Sequence, residues 1–254
     1  MARQRRKERD MDTYGEYEFQ VRTYECGKDG YASLATICNY LQEAASLNAE
    51  SLKFSKSNFE AAGENISWVL TRMKVRMTAY PKWEDRVTVL TFPRGGRRIT
   101  AWRDFIIKAS DGSTIGLATS EWMLIDLASR KVVQIPEEVF AFANDVREPA
   151  LGLEPWTPRL RFPADSGCEK HLFKAQNSHI DLNGHVNNVH YIEWLMEPVA
   201  GVRPSELEVV FRSETFAGEE VVVEVAQGAS PNERFHRVAS PGGQDHVIAR
   251  TLAP

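Results

Sequence analysis

Two stretches of the chain can be laid over one another, and this constrains the fold more than any other feature. Placing Gly30 on Gly184 sets Asp29 on Asn183, Tyr31 on His185, Ser33 on Asn187 and Ile37 on Tyr191. It also sets Tyr40 on Trp194, Leu41 on Leu195 and Glu43 on Glu197. Each copy is a Gly-containing turn that opens an amphipathic run. Apolar spacing predicts a helix over 32–45, with Leu34, Ile37, Cys38 and Leu41 on one face. A second helix is predicted over 186–197, ended by Pro198. Chance similarity of two amphipathic helices is the competing explanation of the match.

Alternating apolar positions predict strands on either side of each helix. In the first half they fall at 14–23, 68–77, 87–92, 100–109 and 115–126, with turns at 93–96 and 110–112. In the second half they fall at 170–176, 207–212, 221–226, 235–239 and 247–252. A long helix followed by an antiparallel meander, used twice, predicts an α+β protein. Each sheet wraps its own helix, and the two sheets join edge to edge, which also protects their edge strands. The stretch 141–164 carries Pro149, Pro155, Pro158 and Pro163 and shows no periodicity, so it is expected to link the halves. The expected organisation is a basic tail (1–12), a first unit (13–140), a linker (141–164) and a second unit (165–254).

With 254 residues, 43% of them hydrophobic, the chain can bury a core. A formal net charge of −4 argues against nucleic-acid binding by the protein as a whole. No apolar run approaches the roughly 20 residues that span a bilayer. The polar N-terminus does not read as a signal peptide. Its Arg3, Arg5, Arg6, Lys7 and Arg9 read as a frayed tail or as a basic arm. Cys26, Cys38 and Cys168 are odd in number and far apart, so they read as reduced thiols in a cytoplasmic protein.

Chemistry concentrates in Asp181-Leu182-Asn183-Gly184-His185-Val186-Asn187-Asn188. Carboxylate, carboxamide and imidazole groups massed at a helix start suit a site that binds a polarised carbonyl. Such a start has free N–H groups and the positive end of the dipole. Asp181 can hold the turn as a cap, take part in chemistry, or both. Of Asn187 and Asn188, one can face the site while the other is structural. No Gly-x-Ser-x-Gly elbow, helical His pair or phosphate-binding Gly loop is present. A carboxylate from a neighbouring strand remains as the candidate base; Glu214 is one, although a Glu at a strand end more often simply faces solvent.

At this point the residues resemble a family. The run Asp181-x-Asn183-x-His185-Val186-Asn187-Asn188-Val189-x-Tyr191-x-x-Trp194-x-x-Glu197 is similar to the signature of the acyl-acyl-carrier-protein thioesterases of plants and bacteria. So is Leu70-Thr71-Arg72-Met73-x-Val75-x-Met77-x-x-Tyr80-Pro81-x-Trp83-x-Asp85. A third match is Ala118-Thr119-Ser120-x-Trp122, followed by Ile135-Pro136-Glu137-Glu138. The resemblance covers roughly residues 14–224 and implies two tandem hot-dog units.

It also implies hydrolysis of a fatty acyl thioester without metal or cofactor, by a set that carries over to Asp181, Asn183, His185 and Glu214. The plant proteins have Arg-Arg-Glu-Cys where this chain has Arg212-Ser213-Glu214-Thr215. Thr is not a thiolate, so a Cys–His nucleophilic mechanism is unavailable at that position.

An acyl slot is expected in the first unit, lined by Leu34, Ile37, Leu41, Met73, Val75 and Met77, each of which also reads as plain core. An acidic carrier protein would need a basic docking patch, for which Arg94, Arg97, Arg98 and Arg103 are candidates; a solvated turn is the other reading. A homodimer is one assembly open to such a chain. Two other functions stay open at this point: an acyl-CoA thioesterase of the hot-dog superfamily, and a non-catalytic acyl-binding module. A hot-dog dehydratase is disfavoured because no His-Phe-Pro segment is present.

Overall fold

The computed structural model describes residues 13–145, 159–163 and 168–254; the basic tail and most of the expected linker lie outside the described residues. The first half runs β1 (Gly15–Gln20), α1 (Leu34–Ser51), α2 (Lys56–Ala61), β2 (Ile66–Met77), β3 (Arg86–Arg97), β4 (Thr100–Ala109), β5 (Thr114–Asp126), β6 (Val132–Val133) and α3 (Glu137–Ala141). The second half runs β7 (Glu169–Lys174), α4 (Asn188–Met196), β8 (Glu206–Phe211), β9 (Glu220–Gln227), β10 (Glu233–Ala239) and β11 (Asp245–Leu252).

The strands form one sheet in the order β1-β3-β4-β5-β2-β8-β11-β10-β9-β7, with β6 paired to β5. The halves meet where β2 pairs antiparallel with β8, in the register Met73↔Val209 and Val75↔Leu207. These four side chains are buried in the core. The alternate positions carry ion pairs across the seam: Arg72–Glu208 at 3.0 Å, Lys74–Glu206 at 3.5 Å and Arg76–Glu206 at 3.0 Å. A slip by one residue would swap the two sets between faces, so the pattern selects this register.

The two long helices lie against the sheet within one continuous core that draws on both halves. They also touch each other, where Asn188 Nδ2 donates to Gln42 Oε1 at 3.3 Å. The helices start as their residues dictate. Ser33 caps α1 by accepting from Thr36 N, and Asn187 caps α4 by accepting from Val189 N.

The repeat is conformational as well as sequential. Gly30 and Gly184 both take left-handed backbone, with φ of 79° and 83°. The same offset relates the isolated bridges Cys26↔Ala32 and Ile180↔Val186. It also relates the 3₁₀ turns Thr23–Glu25 and Asn177–His179, and the two helix caps.

Three local expectations are corrected. The expected turn at 93–96 is a bulge inside β3, because Gly95 (φ 113°) absorbs the extra residue between Pro93 and its next pair; the chain reverses at Arg98 and Ile99 instead. Helix α1 runs on to Ser51, since residues 46–51 contain no helix breaker. The short elements α2, β6 and α3 were not expected; each is too short to show a period.

Candidate active site

The loop that opens α4 and the segment that follows β8 are tied backbone to backbone: Val186 N donates to Thr215 O at 2.9 Å. The first half has the same tie, from Ala32 N to Pro81 O at 2.9 Å. Thr215 therefore occupies the place of Pro81, and Glu214 the place of Tyr80. Glu214 lies beyond the end of β8. The segment is anchored behind it, where Arg212 N donates to His246 O at 2.8 Å and Ser213 Oγ to Asp245 O at 3.0 Å.

This tie brings the four predicted residues together. His185 Nε2 lies 3.3 Å from Glu214 Oε1. On the other side of the ring, Nδ1 lies 3.4 Å from Val186 O and 3.9 Å from Asp181 Oδ1. Asp181 Oδ1 accepts from Asn183 N at 2.8 Å, and its Oδ2 lies 3.4 Å from Asn183 Nδ2. Asp181 thus holds the turn, while the helix cap is Asn187. Asn188 is structural, bridging the helices. Beneath the site, burial pushes the Tyr191 hydroxyl up to about 12. Tyr191 OH and Thr215 Oγ1 are both buried, with no hydrogen-bond partner among the described residues.

Two further groups reach this cluster from the first half, and sequence reading missed both. Lys56 Nζ, on α2, lies 3.5 Å from Asn183 Oδ1. The Arg130 guanidinium, from the turn between β5 and β6, pairs with Glu214 Oε2. Neither belongs to a recognisable motif; only the fold brings them near.

Residues 12–143 match the family model described as the acyl-ACP thioesterase N-terminal domain, and residues 164–252 match that of the C-terminal domain. The chain belongs to the acyl-ACP thioesterase family. It is 30% identical over 250 residues to an oleoyl-acyl carrier protein thioesterase of Arabidopsis thaliana, covering 89% of this chain and 66% of that protein. It is 35% identical over 202 residues to the Coriandrum sativum oleoyl-acyl carrier protein thioesterase, covering 72% and 53% respectively. The chain therefore spans about half to two-thirds of the length of these relatives. Its fold is that of an acyl-ACP thioesterase from Bacteroides thetaiotaomicron, with a TM-score of 0.85 and 23% identity, covering 96% of this chain and 99% of that one. The 12:0-ACP thioesterase from Umbellularia californica superposes with a TM-score of 0.80 at 23% identity, over 95% and 97% of the two chains.

In this member of the family, the residues expected to line an acyl slot are packed in the core. Leu34, Ile37, Leu41, Met73, Val75 and Met77 are all buried, and none lines the apolar cavity of the first half. That cavity lies against the C-terminal half of α1, between Ala45, Ala49 and Leu52 on one side and Trp68, Trp102 and Trp122 on the other. The cavity lies one to three turns further along the helix than Leu41.

The arginine patch divides in the same way. Arg97 and Arg98 are exposed at the β3–β4 hairpin. Arg94 is held by the buried Asp104 at 3.2 Å and lies over the Trp102 ring. Arg103 is half-buried. It points inward to Asn48 Oδ1 at 2.6 Å and Thr91 Oγ1 at 3.2 Å, and burial lowers its guanidinium to about 10. Its side chain lines the apolar cavity beside Trp102.

Proposed function

We propose that this protein hydrolyses the thioester of a fatty acyl chain carried on acyl carrier protein, releasing the free acid. The observation that carries the reading is the His185–Glu214 contact at 3.3 Å in a chain of this family. Glu214 takes a proton from water, and the water oxygen attacks the thioester carbonyl carbon. The carbon–sulfur bond then breaks, and the departing sulfur takes the proton back from Glu214 to leave as the carrier thiol. His185 holds the carboxylate and, with the positive end of the α4 dipole, favours the negative charge that develops on the carbonyl oxygen. Asn183 orients the water, and Asp181 fixes the turn that carries both. The acyl chain lies in the apolar cavity beside α1. Its open volume is about 90 Å³, below the roughly 300–1,000 Å³ of ordinary ligand pockets, so a long chain needs the aromatic walls to move.

A ladder of acyl-carrier thioesters, with the matching acyl-CoA thioesters alongside, tests this. The expected result is release of free acid and carrier thiol, with the higher kcat/KM on the carrier-bound chains. Preference for acyl-CoA would replace the carrier reading. Binding without thiol release would replace catalysis by a binding role.

A further inference from the structure

The turn that carries Arg130 is built in an uncommon way. Arg130 has φ of 58°, a left-handed backbone that residues other than Gly, Asn and Asp seldom adopt. The conformation is enforced from β5. Arg130 N donates to Asp126 O at 2.8 Å, Ser129 N to Asp126 Oδ1 at 2.6 Å, and Asp126 N to Lys131 O at 2.9 Å. The Ser129 N–H also holds the Asp126 carboxyl below its usual range. Behind the turn, Leu127 N donates to Asn65 O at 2.9 Å, and β6 pairs back onto β5. A glycine or asparagine would suit this backbone better. An arginine there has one evident consequence: its guanidinium meets Glu214 Oε2 while His185 holds Oε1.

We propose that Arg130 is a positioning residue for the reaction, which makes the active site a joint product of both hot-dog units. The guanidinium fixes the Glu214 carboxylate from the side away from His185. The carboxylate then cannot rotate out of line with the attacking water. The β5–β6 turn spends backbone strain to aim it. This rests on the assignment of Glu214 as the base.

Arg130→Gly removes the guanidinium and relieves the left-handed backbone together. If Arg130 positions Glu214, kcat on an acyl-carrier thioester falls on the order of 10- to 100-fold. KM stays within about twofold, a signature of an interaction outside ground-state binding. The melting temperature is unchanged or higher, because the strained residue is gone. Arg130→Lys, or millimolar ethylguanidinium added to the glycine variant, restores part of kcat. Wild-type kcat in Arg130→Gly overturns the proposal. So does a kcat loss that tracks a fall in melting temperature and is not restored by either route. Glu214→Gln measured in parallel separates the two readings. If it is inactive while Arg130→Gly runs at full rate, only the role of Arg130 fails. If Glu214→Gln also retains full rate, the base assignment itself fails.

Discussion

His185 Nε2 faces Glu214 Oε1 at 3.3 Å, although the two residues belong to different elements of the second half and lie about thirty positions apart. The contact exists because Val186, next to His185, and Thr215, next to Glu214, share a backbone hydrogen bond. At 3.3 Å the pair sits at the edge of hydrogen-bond reach.

Residues acting as a unit give non-additive losses on removal. Glu214→Gln is expected to lower kcat about 10²–10⁴-fold with KM nearly unchanged. The double variant Glu214→Gln/His185→Ala should be little slower than the slower single variant. Steady-state kinetics on one carrier-bound substrate checks both statements. Multiplicative losses would mean that the two side chains act independently.

The cavity beside α1 makes chain length adjustable from one position. Ala49 lines it from the helix, and Ala49→Leu inserts three carbons into the space. Each methylene that can no longer be buried is worth about 0.8 kcal/mol, or roughly fourfold in kcat/KM. The released acids should shift toward shorter chains, as read by chromatography of the products. An unchanged product profile would place the acyl chain elsewhere.

Arg97 and Arg98 should behave differently from Arg103. Reversing the two exposed charges, Arg97→Glu with Arg98→Glu, should raise KM for carrier-bound chains and leave short synthetic acyl thioesters unaffected. Equal effects on both substrates would remove the hairpin from carrier docking. Arg103→Ala should instead act on stability, since it leaves Asn48 Oδ1 and Thr91 Oγ1 without their donor. Each orphaned buried acceptor costs about 1–3 kcal/mol, measurable by urea unfolding.

His236, on β10, is fully buried, with Nε2 bonded to Thr251 Oγ1 at 2.8 Å and Nδ1 without a partner among the described residues. Burial pushes its imidazole down to about 4. The unfolded chain titrates near 6.5, so between these values it binds a proton that the folded chain refuses. The contribution is fully present above about pH 6.5 and is lost as pH falls toward 4, by up to ~3 kcal/mol. His179, lowered by burial and by His190, works in the same direction. Urea midpoints across this range should fall with pH, and His236→Leu should flatten the decline. An equally steep decline in that variant would assign it to other groups.

Much of this protein is determined locally and was therefore legible in the sequence. The turn at Gly184 needs left-handed backbone, Asn187 is a good cap, and the apolar spacing of α4 is its own. These fixed where Asp181, Asn183 and His185 must lie, because all three sit on one short loop. Alternation along β2 and β8 likewise revealed the strands that join the halves. Glu214 was a candidate left by elimination, and only the family resemblance favoured it, since a carboxylate just past a strand carries no local mark.

The rest depends on contacts between residues distant in sequence, which no period or motif encodes. Arg130 looks like an ordinary turn residue until β5 is paired and the second half is docked beside β2. Arg103 looks like its exposed neighbours Arg97 and Arg98 until β4 turns it toward Asn48. The apolar cavity opens toward the end of α1, beyond the residues whose spacing marked the helix. Periodicity tells which face of an element is buried; only the packed partner decides whether that burial is solid core, a cavity or the back of an active site.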